Sequence, residues 1–163
     1  MARITFKKGD DYAERLLHVA RGSEEVAKRA IYAGAKVLAD KIRDNLEALP
    51  EESFRRLRGE DSFSGLPEAH KVDLMISFGI TPIEKDGTGF WSAKIGFDGY
   101  GRFPTKTYPQ GLPNQLLARS IESGSSVRQK RPFVEPAIRA VKKAAIEAMG
   151  KVVDDDIEKN MKG

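Results

Sequence analysis

Between Gly22 and Pro50 lies a stretch, residues 23–49, with no proline and with Gly34 as its single glycine. Read as one helix it is roughly 40 Å long at 1.5 Å per residue. Ser23 suits the N-cap, Glu24 and Glu25 place negative charge in the first turn, and Pro50 stops the run. Ile31, Ala35, Leu38, Ile42, Leu46 and Leu49 recur at spacings of three and four and form one apolar stripe. Val26, Ala30, Ala33 and Val37 form a second stripe of smaller residues on another face of the N-terminal half. A rod apolar on two faces needs a cover for each. Its own sheet supplies one, and something else is expected to cover the second contact surface of Val26, Ala30, Ala33 and Val37.

The candidates for that sheet are short. Residues 2–7 alternate, with Ile4 and Phe6 on one face, which predicts a strand; Asp10 and Asp11 then open a helix to about Ala20. Val72, Leu74, Ile76, Phe78 and Ile80 alternate with polar or small residues, as do Trp91, Ala93, Ile95 and Phe97. The turn-forming run Lys85-Asp86-Gly87-Thr88-Gly89 between them predicts an antiparallel hairpin covered on one face. Residues 50–70 are polar and rich in turn formers, and read as a long loop with one helical turn, reaching outward. Residues 98–113, rich in Gly, Pro and Tyr, read as an extended loop.

The C-terminal third carries the most specific pattern. Residues 114–123 predict a short helix with Leu116, Leu117 and Ile121 inward and Gly124 as terminator. A basic loop follows, and Pro132 and Pro136 then bracket the entry to a last amphipathic helix, since proline is tolerated in a helix's first turn. Val134, Ile138, Val141, Ala145, Ala148, Met149 and Val152 form its expected stripe, with residues 154–163 fraying. The expected fold is one α+β domain over 1–163. A small antiparallel sheet packs on the long helix, and an amphipathic helix closes the chain.

Chemistry is harder to find than surface. No cysteine is present, which excludes disulfides and thiolate catalysis, and no apolar run has the length of a membrane span. His18 falls on a predicted helix and His70 in a predicted loop, neither with a partner spaced for a triad. Asp154, Asp155 and Asp156 diverge by about 100° each on a helix and do not converge on an ion. Gly96–Gly101 opens no helix that would hold phosphate. No catalytic, cofactor or metal residue is expected.

Charge does localise. Residues 98–131 hold Arg102, Lys106, Arg119, Arg128, Lys130 and Arg131 against only Asp98 and Glu122, an excess of four that equals the net charge of +4. Such a surface suits an acidic partner, whether protein or nucleic acid. Glu122, Gly124, Ser125, Arg128, Lys130, Arg131, Pro132, Phe133 and Pro136 thus read as a mobile docking loop on a stiff elbow. A nucleic-acid-binding accessory protein using 98–131 is the alternative.

The run Ile121-Glu122-Ser123-Gly124-Ser125, a variable loop, then Arg131-Pro132-Phe133-Val134-Glu135-Pro136-Ala137 resembles the putative tail-component family of long-tailed bacteriophages. These are also described as tail-completion or tail-to-head joining proteins. Upstream, the order of short strand, helix, long helix and hairpin is similar. Ser123 stands where that family usually has an aromatic residue, and Ser125 replaces a threonine. The resemblance implies a virion protein without catalysis or cofactor, made in the host cytoplasm. It implies a ring, commonly sixfold, at the head-proximal end of the tail, with Val26, Ala30, Ala33 and Val37 as part of the contact with a neighbouring subunit. There it would complete or terminate the tail tube beside a neck protein, with DNA passing through.

Overall fold

A computed structural model describes residues 2–5 and 24–162. The helix expected at 10–20, with His18, lies outside the described residues. The fold is α+β, with a small antiparallel sheet, a long helix in the N-terminal half and another at the C-terminus. The elements run β1 (Ala2–Thr5), α1 (Glu24–Glu47), α2 (Glu68–Ser77), β2 (Phe78–Ile80), β3 (Glu84–Lys85), β4 (Trp91–Phe97), α3 (Asn114–Ser123) and α4 (Glu135–Lys162).

β4 is the centre of the sheet, with β1 on one side and β2 and β3 in succession on the other. β1 pairs antiparallel in the register Ala2↔Ile95 to Thr5↔Ser92, and β3 in the register Glu84↔Ser92 and Lys85↔Trp91. The hairpin turn forms as expected: the Asp86 carboxylate accepts the N–H groups of Thr88 and Phe90, and Gly89 takes φ +85°. Positive φ there is the conformation glycine supplies without steric cost.

The predicted strand at 72–80 is corrected. Residues 68–77 are helical, and only Phe78–Ile80 is strand. Its apolar residues lie two apart, so alternate ones are also four apart and satisfy a helix equally. Pro67 then decides the matter, because His70 and Lys71 both donate N–H to its carbonyl and start a helical turn. His70 and Leu74 form the buried face of α2, with Leu74 0% exposed, whereas Ile76 is 78% exposed. A strand would have buried both.

The chain divides into two compact units. One comprises 41–79 and 96–139. Its buried apolar residues include Ile42, Leu46, Leu74, Phe97, Leu117 and Phe133, with Phe97 packed between the rings of Phe78 and Phe133. Leu116, expected inward, is exposed, and Ala118 takes the inward position beside Leu117 and Ile121.

The second unit comprises the described parts of 2–40, 80–95 and 140–163. Val26, Ala30, Ile31, Ala93, Met149 and Val153 form its core. The two helical segments run antiparallel, as Arg29 pairs with Asp156 at 3.0 Å and Gly34 faces Met149. A Cβ on Gly34 would lie 2.5 Å from the Met149 sulfur, so glycine permits this approach. Val26 and Ala30 are therefore corrected: they are buried inside their own fold and not offered to a neighbour. Ala33 and Val37 are half-buried. The fraying expected from 154 is also corrected, since Asp156 pairs with Arg29 and Val153 and Ile157 pack into this core. Burying two such aliphatic side chains stabilises by about 1.5–3 kcal/mol each, which favours helix over fraying.

Candidate docking elbow and aromatic cluster

The residues from Glu122 to Pro136 form one hydrogen-bonded construction. A helix begins with backbone N–H groups that have no partner inside it. Glu122, near the end of α3, supplies acceptors for those of α4: one carboxylate oxygen accepts from Phe133 at 2.7 Å and Val134 at 2.9 Å, the other from Glu135 at 2.9 Å. A carboxylate at that end also meets the positive pole of the helix. Phe133, 1% exposed, anchors the turn from inside, and its carbonyl accepts from the Asn45 side chain at 3.1 Å. Pro132 and Pro136 are exposed, and Pro136 occupies the first turn, where no hydrogen bond is lost. Gly124 ends α3 with φ +77°, and Arg131 N–H returns to the Ile121 carbonyl at 2.8 Å.

The loop held by this elbow is tied down. Ser125 and Arg128 bond each other across a tight turn through their backbones, and Phe63 bonds Val127 and Gln129 on either side of Arg128. Arg128 was read as a mobile docking cation. It is corrected: the side chain is 9% exposed and donates to the Gly65 carbonyl at 2.7 Å. Arg131 donates to the Ser64 carbonyl at 3.2 Å while remaining exposed. Lys130 and Ser125 stay at the surface.

The outward reach expected of 50–70 is corrected with it, because this loop supplies the other half of the construction. The Glu52 carboxylate accepts the N–H groups of Ser64 at 2.6 Å and Gly65 at 3.0 Å. Those backbone bonds, Gly65 before Ser64, hold its carboxyl below the usual carboxylate range. Leu66 and Phe63 are buried, while the middle of the loop, including Phe54 and Arg56, is exposed.

A second cluster involves a residue that sequence placed in a loop. His70, on the buried face of α2, is 7% exposed, and its Nε2 has no hydrogen-bond partner among the described residues. Phe103 stacks on it at 5.3 Å between centroids, and Phe54 meets it edge-to-face at 5.0 Å. One turn along α2, Asp73 accepts from the Arg102 guanidinium at 2.8 Å and from its backbone N–H at 3.0 Å. Burial works to raise the Asp73 carboxyl, and the Arg102 hydrogen bonds outweigh it, so the carboxyl lies below its ordinary value. Burial pushes His70 down, against the pull of Asp73 and with the help of Arg128 and Arg102. The one sequence signal for this cluster was Pro67-Glu68, a helix start that puts His70 and Leu74 on one face.

Among the described residues no three His, Asp or Glu side chains gather as ligands for an ion, and no helix is long and apolar enough to cross a membrane. Of the six cations in 98–131, Arg102 is spent on Asp73 and Arg128 on Gly65. Lys106, Arg119, Lys130 and Arg131 face solvent. What the geometry offers is a rigid corner carrying a short polar turn, and beside α2 a set of partly exposed aromatic rings. Compared with family models, with curated proteins and with solved structures, the chain matches none.

Proposed function

We propose that this chain is a structural protein of a long-tailed bacteriophage virion, assembling as a ring, sixfold in the family it resembles, at the head-proximal end of the tail. It works by fitting against copies of itself, the tail tube protein and a neck or head-completion protein, with no bond-making step and no cofactor. One observation supports this above the others. Of the residues that carry the sequence resemblance, Glu122 and Phe133 are joined by a hydrogen bond at one corner, with Gly124 turning the chain at φ +77° and Pro132 and Pro136 flanking the entry to α4. A corner of that kind fixes the direction of α4 and the position of the 125–131 turn, which a subunit docking in one register requires. With Val26 and Ala30 committed to the core, the ring contact passes to exposed side chains.

Sedimentation velocity on the purified chain tests the ring directly. The expected species is a closed oligomer, since a head-to-tail interface closes when its rotation divides the circle. A sharp monomer at all concentrations up to the highest attainable would contradict it. The alternative, nucleic-acid binding through 98–131, is separated by a salt titration with duplex DNA. Besides Arg102, which is held by Asp73, four exposed cations remain there and allow a log–log slope no steeper than about −4. Micromolar or tighter affinity with a slope approaching that limit would favour the alternative, and a flat titration at low ionic strength would end it.

A further inference from the structure

His70 is an ionisable ring in surroundings that disfavour charge. Nε2 is buried without an acceptor, and the ring's neighbours are the faces and edges of Phe54 and Phe103. Both phenylalanines sit on connecting segments without helix or strand, 48–67 and 98–113, and each keeps much of its own surface exposed. The neutral imidazole is therefore a shared contact by which two wet loops are held against α2. We infer that His70 is an acid-operated latch: neutral, it keeps Phe54 and Phe103 closed over α2, and a proton on Nε2 releases them.

The charges acting on the ring come from three elements. Asp73 on α2 favours the proton, but its charge is already engaged by Arg102 from the 98–113 loop. Arg102 itself, and Arg128 from the 124–131 turn, oppose the proton. From the 48–67 loop the ring meets Phe54. Stacking on Phe103 offsets part of the cost of charge, yet an aromatic face gives a buried N–H no acceptor comparable with water. Opening lets the imidazolium reach solvent, so protonation and opening favour each other. The Arg102–Asp73 pair holds through this range, so the 98–113 loop stays tethered to α2 at Arg102 while the backbone beside the two released rings loosens. The latch extends beyond the ring proposed above and does not depend on it.

The linkage has a definite sign. The closed state binds the proton less well than the open one, so opening grows as pH falls below about 6.5 and levels off below the closed-state value. Hydrogen exchange on the full chain, read as protection factors at pH 7.5 and 5.5, tests this. The hydrogen-bonded amides nearest the two rings, Glu52 and Thr105, are expected to lose protection by up to about tenfold at pH 5.5, while α3 is unchanged. His70→Phe keeps the ring stack and removes the titration, so the loss should vanish. Proton NMR of the wild-type chain, with His70 distinguished from His18 by a His18→Gln variant, should place the His70 midpoint below 6.5. A midpoint at or above that value, or the same acid loss of protection in His70→Phe, overturns the latch. Should His70→Phe fail to fold, the wild-type exchange decides: loss of protection at pH 5.5 confined to the two loops is expected, and its absence overturns the latch.

Discussion

At the scale of single residues, the polar groups decide most of what is specific here. Glu122 satisfies three N–H groups at the start of α4, and no other described side chain accepts them. Glu122→Ala strips all three of their acceptor and should cost about 2 kcal/mol in urea denaturation. Glu122→Gln, which keeps acceptor capacity but loses the charge, should cost about half as much. Arg128 and Lys130 make a sharper contrast, since sequence gave both the same role. Arg128→Ala removes a buried guanidinium bonded to the Gly65 carbonyl and should cost about 2 kcal/mol, whereas exposed Lys130→Ala should stay within about 0.5 kcal/mol. Equal effects would restore the reading of both as docking cations. Burial of a long cationic side chain depends on a carbonyl some sixty positions away in the chain, and nothing in the local sequence of 125–131 announces it.

At the scale of elements, the legible parts were those with one dominant period and clear punctuation. The long helix was bounded by Ser23 and Pro50, α3 by Asn114 and Gly124, and β4 by its alternation; all three appear where expected. The segment 72–80 failed because a spacing of two contains a spacing of four, and burial by the rest of the fold chose between them. Of the small-residue stripe, Val26 and Ala30 find their cover within the chain, where Gly34 lets Met149 approach, while Ala33 and Val37 stay half-buried. Acid should dismantle the loop tie-downs in two stages. The His70 contribution is present above about 6.5 and is lost as pH falls toward its depressed folded value. Glu52 and Asp73, also depressed, contribute above about 4 and are lost as pH falls through their folded values. Urea midpoints across pH 8 to 3 should therefore descend in two steps, and His70→Phe should flatten only the upper one. A single step near pH 4 in the wild-type chain would remove His70 from the account.

At the scale of the whole molecule, the α+β architecture was legible and the docking surface was not. Sequence located the elbow through its prolines, its phenylalanine and Glu122, but assigned the interface to a helix face of which the fold itself covers Val26 and Ala30. Exposed apolar side chains remain elsewhere, among them Ile76, Phe54, Tyr100 and Tyr32. In the proposed ring they are groups that a neighbouring subunit would cover. The central claim is that this chain does its work as a fixed part of a virion. Electron microscopy of purified phage particles carrying an epitope-tagged copy, labelled with gold-conjugated antibody, tests it most directly. Label at the junction of head and tail, in a ring around the tail axis, is the predicted result; particles without label, with all of the tagged chain recovered as free monomer from infected cells, would contradict it.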